Sequence, residues 1–125
     1  MNTVGVRNPA LGEKRTLIER GLMTFYRQVL PPAMDNETAA GHLREAVGIE
    51  NKHVEWCTVR PDSLIDAEGS PYDVEESPVT SIFSGRPTSR SNVARFMVEL
   101  IDNVELWERW KFQMPVIMNS LPPRQ

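Results

Sequence analysis

A single cysteine, Cys57, is all the thiol chemistry in these 125 residues, which excludes an internal disulfide and leaves any zinc dependent mostly on other ligands. A reducing, cytoplasmic compartment is the expectation. Basic residues are in short supply: 14 Lys and Arg against 17 Asp and Glu leave a net charge of −3. That balance provides no electrostatic footprint for nucleic acid or for an anionic membrane. No apolar run approaches the ~20 residues that span a bilayer. Met1 to Val6 also lacks the basic-then-apolar pattern of a secretory signal. Without such a signal, the sequon Asn36-Glu37-Thr38 reads as an accidental match. The seven glycines are scattered, and the ten prolines cluster in connections rather than in apolar runs.

What is there suits one soluble domain. A chain of this length buries roughly two-thirds of its unfolded surface, enough for a core. Asn2 to Val6 reads as a short strand, too short to be stable outside a sheet. From Glu13 to Leu30, Leu17, Ile18, Leu22, Phe25, Tyr26, Val29 and Leu30 recur at helical spacing, with charged residues on the other face. Pro31-Pro32 should stop that helix, because neither residue can donate an i to i−4 hydrogen bond. A second helix is expected over Asn36–Val47. Asp35 or Asn36 would cap it, Ala39, Leu43 and Val47 would face inward, and Gly48 would stop it.

Val54 to Val59 reads as a strand ended by Arg60-Pro61. Residues 62–88 are turn-rich, with only Val79 to Phe83 able to extend, and so long a connection reads as functional. Ser89 should cap the clearest helix, in which Val93, Phe96, Met97, Leu100 and Ile101 repeat at i, i+3, i+4, i+7 and i+8. A shorter helical piece carries Val104, Leu106, Trp107 and Trp110, and Pro115 to Met118 reads as a final strand. The order β, α, α, β, long loop, α, β is mixed α/β with a parallel sheet.

Four segments in this order carry a resemblance. Val54 to Leu64, VEWCTVRPDSL, resembles the sixth strand and following turn of atypical short-chain dehydrogenases, where an aromatic residue and a short apolar strand lead into Val-Arg-Pro. MNTVGVRNP resembles the fifth strand and its exit loop, DNETAAGHLREAVG the helix before the sixth strand, and SRSNVARFMVELIDN the later Ser-Arg-x-x-Val-Ala helix. Within that NAD(P)-binding Rossmann family the chain is most similar to the averufin oxidase A-like group of fungal polyketide pathways.

The resemblance implies the C-terminal portion of a doubly wound parallel sheet, spanning 1–125 as one partial domain, with 62–88 as a substrate-side loop. It implies an oxidoreductase using NADP or NAD on a small aromatic or polyketide substrate. By resemblance the turn after the sixth strand lies against the nicotinamide, so Arg60, Pro61, Asp62, Ser63 and Leu64 are the cofactor-binding candidates, with the backbone of the last three able to meet the carboxamide. The alternative is that Pro61 only ends a strand and Arg60 pairs with a carboxylate. Two parts of the family's machinery are missing from these residues. No G-x-G-x-x-G or G-x-x-G-x-x-G turn is present to meet a pyrophosphate. The Tyr-x-x-x-Lys pair is also absent, since Tyr26 is followed four residues on by Leu30 and Tyr72 by Glu76. No catalytic residue can be assigned. Met1 is then expected to be an internal methionine of a longer frame, and a non-catalytic remnant or a module docking on another Rossmann subunit stands beside the enzyme reading.

The remaining candidates each have two readings. His42 is a general acid/base near Glu45 or an ordinary surface histidine, and His53 is a loop residue. With Cys57 they offer too few donors for a metal site. Arg86 and Arg90 could hold an anion at a helix start, or be a solvated pair. Trp107 and Trp110 cover a pocket or pack in the core. Phe25 and Tyr26 form a homodimer face or pack on their own sheet. If the Asn2–Val6 strand has a bare outer edge, the isolated chain is expected to be poorly stable or oligomeric.

Overall fold

The computed structural model describes residue 18, residues 31–79 and residues 85–122. The expected Asn2–Val6 strand, most of the Glu13–Leu30 helix and residues 80–83 lie outside the described residues. Helix α1 spans Pro31–His42 and runs directly into a π-helical turn, Leu43–Val47. Pro31 and Pro32 open this helix, at positions whose N–H groups would have no intrahelical partner anyway. The expected caps Asp35 and Asn36 therefore lie inside α1. Gly48 does stop the helix: at φ 71° it takes the left-handed conformation, and its N–H donates to the Leu43 carbonyl at 2.9 Å. The inward face is set by Ala40, fully buried, with Leu43 and Val47 packed beside it, while Ala39 points to solvent.

The strands are short. They are β1 (Arg60–Pro61), β2 (Ser63–Ile65), β3 (Tyr72–Glu75), β4 (Pro87–Ser89) and β5 (Val116–Asn119). β5 lies between β1, parallel to it, and β3, antiparallel to it, whereas β2 and β4 form a separate parallel pair. An antiparallel edge strand on an otherwise parallel sheet is common in α/β folds. The expected Val54–Val59 strand is not a regular strand; these residues lead into β1. Thr58 donates to Gln113 at 3.0 Å and Arg60 to Pro115 at 2.8 Å, so pairing begins ahead of the formal ladder. Within 62–88, β2, β3 and the start of β4 supply regular structure that the turn-rich composition hides.

Helix α2 (Arg90–Asp102) is capped as expected, Ser89 Oγ accepting from the Asn92 N–H at 3.2 Å. Its stripe is narrower than the spacing implies. Val93, Phe96 and Leu100 are buried, while Met97 and Ile101 are exposed. Asn103 ends α2 and caps α3 (Val104–Trp110), accepting from the Leu106 N–H at 3.0 Å. The core joins Val59, Val93, Phe96, Leu100, Trp110 and Ile117, with Cys57, Leu64 and Tyr72 packed against it. Trp110 is thus a core residue. Trp107 is half-buried and donates its indole N–H to Glu55 at 2.6 Å, tying α3 to the segment before β1. After α3 the chain reverses through Phe112 at φ 61°, where a glycine would be unstrained. Edge-to-face packing on Trp56 at 6.2 Å and an N–H bond to the Trp56 carbonyl hold it there.

Candidate functional site

In open α/β sheets, ligands sit outside the carboxyl ends of parallel strands. That edge here collects the Arg60–Leu64 turn, Gly85–Arg86 and the start of α2. Arg60 is wholly buried, its guanidinium donating to the Met114 carbonyl at 2.7 Å through Nε and to the Glu76 carbonyl at 3.1 Å through Nη2. Pro61 is also fully buried. Asp62 is half-buried, its N–H given to Ile117 at 3.2 Å, and the Ser63 N–H goes to Arg86 at 3.0 Å. Ser63 is exposed and Leu64 half-buried. The turn is therefore divided into a buried anchor, Arg60-Pro61, and an accessible rim, Asp62 to Leu64.

The rim is closed on its far side by a neck. The Asp62 carboxylate accepts the Arg86 N–H at 2.8 Å. A side chain at Gly85 would place its Cβ 2.5 Å from Asp62 Oδ1, so only glycine lets the carboxylate sit there undisturbed. Arg86 pairs with Asp73 at 2.9 Å and also donates to the Asn119 carbonyl, while its buried Nε–H has no partner among the described residues. Ser120 Oγ donates to the same Asp73 at 2.6 Å. The Ser120 and Arg86 bonds together hold the Asp73 carboxyl below its ordinary range. Arg90 sits at the start of α2, exposed, in an ion pair with the exposed Asp66 at 2.5 Å. Both arginines expected to bracket the junction thus carry carboxylate partners.

A polar cluster that the sequence reading does not identify organises this edge. Asn92 is fully buried: its Nδ2 donates to Ser70 Oγ at 3.0 Å and Asn119 Oδ1 at 2.8 Å, and its Oδ1 accepts from the Ser70 N–H at 3.0 Å. Asn119 Oδ1 also accepts the Ser89 N–H at 3.0 Å, and Thr88 Oγ1 donates to the Ile117 carbonyl at 2.9 Å. The one available signal is that Asn92 falls on the Phe96–Leu100 stripe, where a polar residue must find partners. Nothing in the sequence marks Ser70 or Asn119. Elsewhere, His42 and His53 are exposed. Cys57 is half-buried, and burial pushes its thiol up to about 12, which makes it an inert core residue. Among the described residues no cluster of metal-binding side chains occurs, and no helix is long and apolar enough to cross a membrane.

Parallel strand pairs, helices and a turn at their carboxyl edge define a mixed α/β domain consistent with a partial Rossmann-like, nucleotide-binding fold. The sequence model of the NAD(P)H-binding family matches residues 11–104, and the chain belongs to that family. No curated protein and no solved structure matches it. The turn's fit to a nicotinamide can be read from its groups. The backbone donors of Asp62 and Ser63 are already engaged within the fold, and Pro61 has none. The rim can still offer the Ser63 hydroxyl and the apolar flank of Leu64. Arg60 and Pro61 can act only from behind.

Proposed function

We propose that these residues form the substrate-side, C-terminal part of an NAD(P)H-dependent oxidoreductase of the atypical short-chain dehydrogenase type. The reading extends to the averufin oxidase A-like group, with a small aromatic or polyketide molecule as substrate. The nicotinamide lies on the Asp62–Leu64 rim, where Ser63 Oγ meets the carboxamide and Leu64 the ring, while Arg60 and Pro61 fix the rim's height. The observation that carries this reading is the family match over residues 11–104, which includes the turn at the carboxyl edge of β1 and β5. The chemistry the cofactor would supply is hydride transfer. This chain's part is to position the ring and shape the pocket with the 62–88 segment.

Thermal unfolding with and without millimolar NADPH tests it. A ligand selective for the folded state at about ten times its Kd adds about 1.4 kcal/mol. The midpoint should rise by a few degrees, and Ser63→Trp should cancel the rise without lowering the ligand-free midpoint. A second reading is favoured by the missing glycine turn and Tyr-x-x-x-Lys pair: a non-catalytic module that docks on another Rossmann subunit. A cooperative transition that NADPH leaves unmoved would overturn the first reading and favour the second.

A further inference from the structure

Among the described residues, nothing covers the apolar outer face of α2. Ala94 is exposed, and Met97, Val98 and Ile101 are 40%, 55% and 82% exposed. On a helix these positions share one face. Between that face and β2 lies a cavity of about 240 Å³, lined by Leu64, Arg90, Val93, Ala94 and Met97. The four helical lining residues stand at i, i+3, i+4 and i+7, the spacing of a socket that receives one side chain from a facing helix. The most protruding apolar side chain on the face is Ile101, seven residues beyond Ala94, or about 10 Å along the axis.

We propose that α2 is the interface of an antiparallel, two-fold homodimer in which Ile101 of each copy fills the Leu64–Met97 socket of the other. A two-fold axis passing between Met97 and Val98 brings Ile101 of one copy opposite Ala94 of the second, and the reverse contact follows by symmetry. Socket and knob on the same helix are both satisfied at once only by a second copy in this orientation. Charge agrees. Arg95 lies in the first half of one flank, ion-paired with Glu99 at 2.9 Å, and the exposed Asp102 in the second half of the same flank, so antiparallel packing brings Asp102 of one copy toward the Arg95–Glu99 pair of the other. Parallel packing would oppose Ile101 to Ile101, leave both sockets empty and set like charges together. One helix face buries less than the roughly 1,200 Å² of a stable interface, so association is weak. Leu64 is shared with the cofactor reading, but the dimer is tested by mass and cross-linking without cofactor, so the two fail separately.

Sedimentation equilibrium of the full chain from about 5 μM to 1 mM tests the proposal. The average mass should climb from 14.2 kDa toward twice that value. Ile101→Asp should hold the chain monomeric across the range, while circular dichroism and the thermal midpoint stay unchanged because Ile101 is exposed. In a Cys57→Ser background, Ala94→Cys and Ile101→Cys chains should form disulfides when mixed and not when oxidised separately. A monomer at 1 mM, association that survives Ile101→Asp, or preferential Ile101→Cys self-linking would each overturn it.

Discussion

Replacing Arg60 by methionine separates the two roles that the turn admits. The guanidinium is wholly buried and donates to the carbonyls of Met114 and Glu76, which bridges the entry to β5 and the exit of β3. Methionine keeps most of the stem's volume but leaves both carbonyls without this donor. Buried ion pairs can often be replaced by apolar side chains at little cost, because both partners go. Here the Met114 and Glu76 acceptors are backbone carbonyls and cannot be removed. Hydrogen bonds to a charged group contribute about 1.5–3 kcal/mol each, so two of them set a loss of about 3–6 kcal/mol. For a domain of this size each kcal/mol moves the midpoint by about 3–5 °C, which predicts a fall of roughly 10–30 °C. Urea unfolding followed by tryptophan fluorescence gives the free energy directly, since Trp56 and Trp110 are buried and report the core. An unchanged slope with a lowered midpoint is the expected pattern. Arg60→Lys, which retains one charged donor, should lose about half as much. If Arg60→Met costs less than about 1 kcal/mol, the guanidinium is not holding the sheet and the anchor argument fails.

Gly85→Ala should cost about 1–2 kcal/mol, because the new Cβ displaces the Asp62 carboxylate from the Arg86 N–H. In an Asp62→Ala background the same change should be nearly free, and equal costs in both backgrounds would show that the clash is not the cause. On the alkaline side, burial pushes the Cys57 thiol up to about 12. Burial, followed by the hydrogen bond to Glu99, does the same for the Tyr72 phenol. Both values lie above those of the unfolded chain, about 8.5 and 10. Stability is therefore fully present below about pH 8.5 and is lost as pH rises toward 12. A thermal midpoint that stays flat from pH 9 to 11 would contradict this, as would prompt reaction of Cys57 with a thiol reagent in the native state at pH 8.

Much of the fold could be read from local pattern. The stretch from Ser89 to Ile101 carries its own cap and period, and α2 forms where those signals say. Gly48 stops its helix because glycine takes a positive φ there without steric strain. Pro115 to Met118 becomes the central strand β5, since a short apolar run buried on both sides needs no partner-specific signal. Pro31-Pro32 opens α1 because the missing proline N–H has no intrahelical partner in a first turn, and most of the Glu13–Leu30 helix that it is expected to stop lies outside the described residues. The 62–88 segment hides β2 and β3 because strands of three or four residues have too few positions to show a period.

The site divides along the same line. By itself, the sequence determined the helical stripes, the caps, the Arg60–Leu64 turn and membership of an NAD(P)H-binding family, because each is written in neighbouring residues or in their order. Only the tertiary structure decided that Arg60 is an anchor, that the Asp62 and Ser63 amides are spent inside the fold, and that Ser70, Asp73, Asn92 and Asn119 form one network. Those outcomes depend on which groups meet across 13 or more residues of chain. A buried polar group takes whatever partner the packed sheet places within about 3 Å, and no local pattern records that choice.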